Sequence, residues 1–250
     1  MTTIQGPTKP TPISDAPHQG SGPGSSRSQF RFAAVLGTTG LLIQIPMGML
    51  HPHRVQPNES AAVFREYEGS TNWAMVHIGQ FAGTLLIVLS LVLLARSLSK
   101  QPGIAGALGF LGGVTAVLVA GVFAVQMAVD GVALKGAIDA WAGTTSPEAQ
   151  ASAFQVADGI RWLEKALSSF FQLLNGLTFL LIGLSMVVGR SFARWLGVVG
   201  VLTGAALVYV GTVVARTGFS PESATAVLPA TLLGAVFLIG TWFSMWRRVG

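Results

Sequence analysis

Three histidines carry the most pointed chemistry in this chain: His51, His53 and His77. The run Met47-Gly48-Met49-Leu50-His51-Pro52-His53 closes one long apolar segment, and Trp73-Ala74-Met75-Val76-His77 opens the next. All three therefore reach the same face of a bilayer. Ionisable groups at that depth are costly and mark candidate sites. Imidazoles beside the thioethers of Met47, Met49 and Met75 would suit copper, and imidazoles beside Asp130 or Glu164 would suit zinc. A bis-histidine haem would need an opposing pair, yet no histidine follows His77.

Other polar residues fall in stripes at helical spacing. Trp73, His77, Gln80 and Thr84 share one face of a helix, and Lys165, Ser168, Gln172 and Asn175 share a face of another, with Glu164 at its rim. Gln126 and Asp130 stand one turn apart, and Gln44 lies two turns before His51. An unpaired amide in hydrocarbon costs several kcal/mol, so these stripes are expected to face one another. They outline a polar cavity among the first four spans, open on the histidine side, with the last two spans as buttresses.

The elements that must position these groups are apolar and long. Charged residues make up 10% of the 250 residues, against about 25% in an ordinary soluble domain. Six apolar runs occur, near Phe32–Leu50, Trp73–Ala95, Gly103–Val129, Ala166–Gly189, Trp195–Ala215 and Ala226–Trp246. Each has the roughly twenty residues that cross a hydrocarbon core as a helix. The fold expected is all-α, a six-transmembrane-helix bundle over residues 30–250. Residues 1–29, rich in Gly, Pro, Ser and Thr, read as a disordered cytoplasmic tail rather than a signal peptide.

Charge distribution sets the topology. Arg27, Arg31, Arg96, Lys100, Arg190, Arg194, Arg247 and Arg248 all fall on one side of a six-span bundle. The positive-inside rule places that side, and both termini, in the cytoplasm. The net charge of +5 is thus a topology signal and a contact with anionic lipid, and nucleic acid is not an expected partner. Trp73, Trp141 and Trp162 near one boundary, with Trp195, Trp242 and Trp246 near the other, read as aromatic belts. The chain has no cysteine, which excludes disulfides and thiolate ligands.

Two connections on the histidine side are long. The first reads as a short interfacial helix through Ala61, Phe64 and Tyr67. In the second, the third span projects past the membrane through Leu134, Ile138 and Trp141. Ser146-Pro147-Glu148 then starts a helix that runs through Trp162 into the fourth span. The GxxxG pairs Gly79/Gly83, Gly109/Gly113 and Gly200/Gly204 read as close packing within the bundle.

The segment Phe192-Ala193-Arg194-Trp195-Leu196-Gly197-Val198-Val199-Gly200 resembles a domain-of-unknown-function family of bacterial six-helix integral membrane proteins. The resemblance implies helix number and polarity. It carries no functional residue, because the family has no assigned reaction.

The function read from these residues is that of a multi-pass protein of a bacterial cytoplasmic membrane. Its polar centre is His77, Gln80, Gln126, Asp130, Glu164, Lys165, Gln172 and Asn175, a site for a small ligand in sensing or transport. The alternative is a metal site at His51, His53 and His77 for copper, zinc or haem iron. A scaffold whose polar groups only join helices is a third reading. An enzyme using His77 with Asp130 or Glu164 as acid and base is a fourth, although no GxSxG, HExxH or phosphate-loop motif accompanies them.

Overall fold

The computed structural model describes residues 23–52 and 58–247, so the first 22 residues and His53 lie outside the described residues. Eight helices follow in order: α1 (Pro23–Leu50), α2 (Ser60–Glu68), α3 (Trp73–Leu98), α4 (Gly103–Ala128), α5 (Lys135–Ala142), α6 (Pro147–Val188), α7 (Arg194–Thr217) and α8 (Pro221–Arg247). A π-helical turn, Val129–Leu134, joins α4 to α5 without a break. Six helical segments are long and apolar enough to cross a membrane. No strand occurs among the described residues, and the chain is a multi-pass membrane protein.

Local sequence explains where the helices stop and start. Ser146 caps α6, its hydroxyl accepting from the Ala149 amide, and Pro147 takes the first helical position, where its missing N–H costs nothing. α6 then continues for 42 residues, carrying the fourth span well beyond the apolar run that marks it in the sequence. α1 likewise begins at Pro23, inside the segment that composition alone assigns to a tail. The short helix α2 forms as expected and is tied to α6 by the Ser60 hydroxyl, which donates to Asp158.

The six spans close into a ring in which α1 packs on α3, α3 on α4, α4 on α6, α6 on α7, α7 on α8, and α8 back on α1. The α6–α7 seam is the most extensive and the α1–α8 seam the least. Glycines set the first of these. A methyl at Gly204 would stand 2.6 Å from the Gly176 carbonyl oxygen, and one at Gly183 would stand 2.6 Å from the Val201 nitrogen. Without side chains between them the two backbones touch, which is how helices associate where lipid supplies no hydrophobic drive.

The two halves of the ring differ. Toward the end bearing Arg31, Arg96 and Arg194, hereafter the basic face, Leu94, Leu98, Ile182, Met186, Leu196 and Phe237 form a closed apolar core. On the opposite, histidine face a smaller core of Phe64, Tyr67, Trp73, Leu134 and Ile138 roofs the ring. The tryptophan belt is only partly present. Trp162, Trp195 and Trp246 are more than half exposed, but Trp73 and Trp242 are buried. Their indole N–H groups are used inside the protein, that of Trp242 donating to Ser90 at 2.9 Å.

Replacing Gly204 by leucine is expected to force α6 and α7 apart at a cost of about 2–3 kcal/mol. Thermal denaturation in detergent should show a clear fall in melting temperature. Gly121→Leu, where an added side chain meets nothing within 4 Å, should leave it unchanged.

Candidate metal centre

Asp130 is brought to its place by the π-helical turn. Widening the helix at Val129–Leu134 frees backbone groups, and the Asp130 carbonyl accepts from the Trp73 indole at 3.1 Å. Gly131 lets α3 lie directly against this turn, since a methyl there would stand 2.6 Å from the His77 Cβ. The Asp130 carboxylate is therefore buried beside His77, with 5% of the residue exposed.

His77 and His51 present the same nitrogen to that carboxylate. His77 Nδ1 is 2.8 Å from the Trp73 carbonyl, and His51 Nδ1 is 2.8 Å from the Pro52 carbonyl. A carbonyl oxygen only accepts, so each Nδ1 carries a proton, and each Nε2 is the nitrogen turned toward Asp130. His77 Nε2 stands 3.0 Å from Asp130 Oδ2 without meeting hydrogen-bond geometry, and His51 Nε2 is 4.0 Å from the same oxygen. Asp130 Oδ1 is buried with no hydrogen-bond partner among the described residues. Burial holds the His51 imidazole below the usual histidine range, the neighbouring Asp130 charge opposing that shift in part.

Three potential ligand atoms thus lie within 4.8 Å of one another. Donors on one tetrahedral zinc are roughly 3.3 Å apart, so modest side-chain rotation suffices to close the set. Carbonyls behind each Nδ1 are the usual supports of metal-binding imidazoles. Both Nε2 atoms approach a single carboxylate oxygen, so the rings do not frame the flat slot that a bis-histidine haem needs. The thioethers do not join the group. Met49 and Met75 are exposed, and Met47 packs against Gly79. The donor set is two imidazoles and a carboxylate, which suits zinc better than copper.

Around this group the rings of Tyr67, His51 and His77 cluster about Trp73, each tilted against it. Trp73 lies 4.2 Å from Tyr67 and 4.4 Å from His77 between ring centroids. Burial raises the Tyr67 hydroxyl above its ordinary range, keeping it a neutral donor. Beyond Tyr67 the Arg161 guanidinium stacks on that ring at 5.5 Å and on Phe219 at 4.9 Å, and it pairs with the Glu164 carboxylate.

The polar residues expected from the sequence separate into three places. Gln44, Gln80, Gln126 and Asp130 line a cavity of about 490 Å³ that His51 borders. Glu164, Ser168 and Gln172 line a second, of about 510 Å³, which His51 also borders. Asn175 lines a deeper one with Gln44 and Gln172. Lys165 joins none of these, its ammonium resting over the Trp162 ring at 4.3 Å. α7 and α8 do more than buttress: Val210, Val214, Ser223 and Val227 form one wall of the second cavity. Arg161 is the residue the sequence reading passed over. Its spacing of three from Glu164 was the available signal, but it precedes the apolar run that defines the span.

Comparison with protein-family models, curated proteins and solved structures finds no match for this chain. The site stands on its geometry.

Trp73→Phe removes the hydrogen bond to the Asp130 carbonyl while keeping most of the aromatic cluster. A loss of about 1 kcal/mol is expected in thermal denaturation. Gly131→Ala should cost more, because α3 must move off the turn.

Proposed function

We propose that this membrane protein binds a divalent metal ion, zinc by its donor set, through His51, His77 and Asp130. The carrying observation is that two imidazole nitrogens and a buried carboxylate converge within 4.8 Å of one another. A divalent ion at that point would be held by the carboxylate charge and by directed bonds from the two rings in their neutral form. Three protein ligands leave a fourth position, the arrangement of zinc sites that act on water or a further ligand. That position faces the cavity lined by Gln80 and Gln126. The basic face is cytoplasmic by the positive-inside rule, so the metal centre opens to the extracytoplasmic side of the cell membrane.

Protein purified in detergent without chelator should hold about one zinc per chain by quantitative metal analysis. His77→Ala and the isosteric Asp130→Asn should each weaken zinc binding by about 100-fold or more in titration calorimetry, with helical content retained. A wild type that neither retains zinc nor binds it saturably would sink the reading. Orientation is checked separately, since the chain has no native thiol. A cysteine placed at Ser99, beside the basic face, should resist impermeant thiol reagents in intact cells and react once the membrane is opened.

A further inference from the structure

The deepest cavity holds groups that the metal centre does not use. About 300 Å³ in volume, it lies inside the ring at mid-span. Gln172 and Asn175 line its upper part, and neither amide makes a side-chain hydrogen bond to another described residue. By contrast, Gln44 there accepts from Thr84 at 3.3 Å, and Thr203 and Thr231 donate to their own helices. Two amides at hydrocarbon depth with no protein partner call for a hydrogen-bonding guest. The lower part is apolar, walled by Leu91, Phe179 and Leu238.

This cavity is continuous in its lining with the second one above it. Gln172, Val210 and Val227 border both. The combined space therefore runs from the Arg161–Glu164 pair, past two amides, into an apolar end, and its volume is that of a site for a small organic molecule. Leu41 lines both the deep cavity and a groove of about 530 Å³ between α1 and α8, where Val35, Ile239 and Phe243 are exposed. The bilayer thus adjoins the cavity at the ring's least extensive seam.

We infer that this interior space binds an uncharged amphiphile drawn from the bilayer, its hydroxyl- or carbonyl-bearing head at Gln172 and Asn175 and its chain toward Phe179 and Leu238. Charge selects against an anionic head. Arg161, the cation of the upper cavity, is already paired with Glu164, and Glu66 adds a further carboxylate to the lining. A phosphate head would have to displace Glu164 from a desolvated pair, a costly exchange. Water could satisfy the amides but gains nothing from the apolar end, so a water-filled space is the outcome the test must separate.

The assay measures saturable binding of tritiated 1-oleoylglycerol to the full chain in neutral detergent, with chelator present so that the result does not depend on the metal centre. Binding at one site per chain is expected. The double variant Gln172→Leu/Asn175→Leu should weaken it about tenfold, the loss expected for one or two hydrogen bonds, with no fall in melting temperature. Ala230→Phe, which fills the apolar part, should abolish it. An oleoyl lysophosphatidate of the same chain length should compete at least about tenfold less well. The inference is overturned if binding is not saturable, if the double variant binds as the wild type does, or if lysophosphatidate competes equally.

Discussion

The convergence of two imidazole nitrogens on one buried carboxylate, at the edge of a hydrocarbon slab, is the interaction on which this structure turns. Unit charges 4 Å apart at an effective dielectric near 20 interact by about 4 kcal/mol, so the sign of what lies between them decides whether the arrangement holds. Much of the histidine face is arranged to fix that carboxylate. The π-helical turn aims it inward, the Trp73 indole takes up its backbone carbonyl, and Gly131 admits α3 at backbone distance. α2, the end of the turn and α5 then cover the group with Phe64, Tyr67, Leu134 and Ile138.

The same constraint shapes the ring as a whole. The basic half is filled mainly by large apolar side chains, with Ser90, Ser185 and Thr241 buried among them. The buried ionisable groups His77, Asp130, Arg161 and Glu164 and the glutamine-lined cavities lie in the other half. Membrane interiors tolerate polar atoms only where protein or an enclosed guest satisfies them. Some are satisfied locally: Thr115, Thr178 and Thr203 donate to carbonyls three or four residues back on their own helices. Others cross between helices, as Ser169 does to Gly211 and Ser185 to Ala105. Asp130 Oδ1 and Gln126 Oε1, buried without a hydrogen-bond partner among the described residues, border a cavity, and the half-buried side chains of Gln172 and Asn175 line another.

Hydropathy and length made the six spans legible, because apolar runs of about twenty residues have few alternatives. The Ser-Pro-Glu start of α6 and the short helix α2 were legible from capping and composition. Periodicity placed Gln80, Gln126, Gln172 and Asn175 on inward stripes, since it reports a helix's own face. It cannot report which neighbour that face meets, and so the approach of His51 to His77 was beyond it. An indole at a span boundary fits lipid headgroups and a buried acceptor equally well by sequence, and of the two places Trp73 suits, belt and inward stripe, it takes the second. The π-helical turn left no sequence signal: Val129-Asp130-Gly131-Val132 suits an ordinary helix, and only packing against α3 widens it.

His51 joins the two parts of the molecule physically. It sits just past the end of α1, about a fifth of its side chain exposed, and borders both the glutamine-lined cavity and the Arg161–Glu164 cavity. Its ring also meets Tyr67 edge-on and Trp73 at a tilt, and Tyr67 reaches the Arg161 side through the cation–π contact. A ligand that fixes this ring on the Asp130 side fixes the wall of the second cavity as well. Linkage would make any coupling through this ring mutual, each occupant changing the affinity of the other by one factor. The size of that factor depends on how many orientations the ring has when neither is filled, and its Nδ1 contact to Pro52 restricts them from the start.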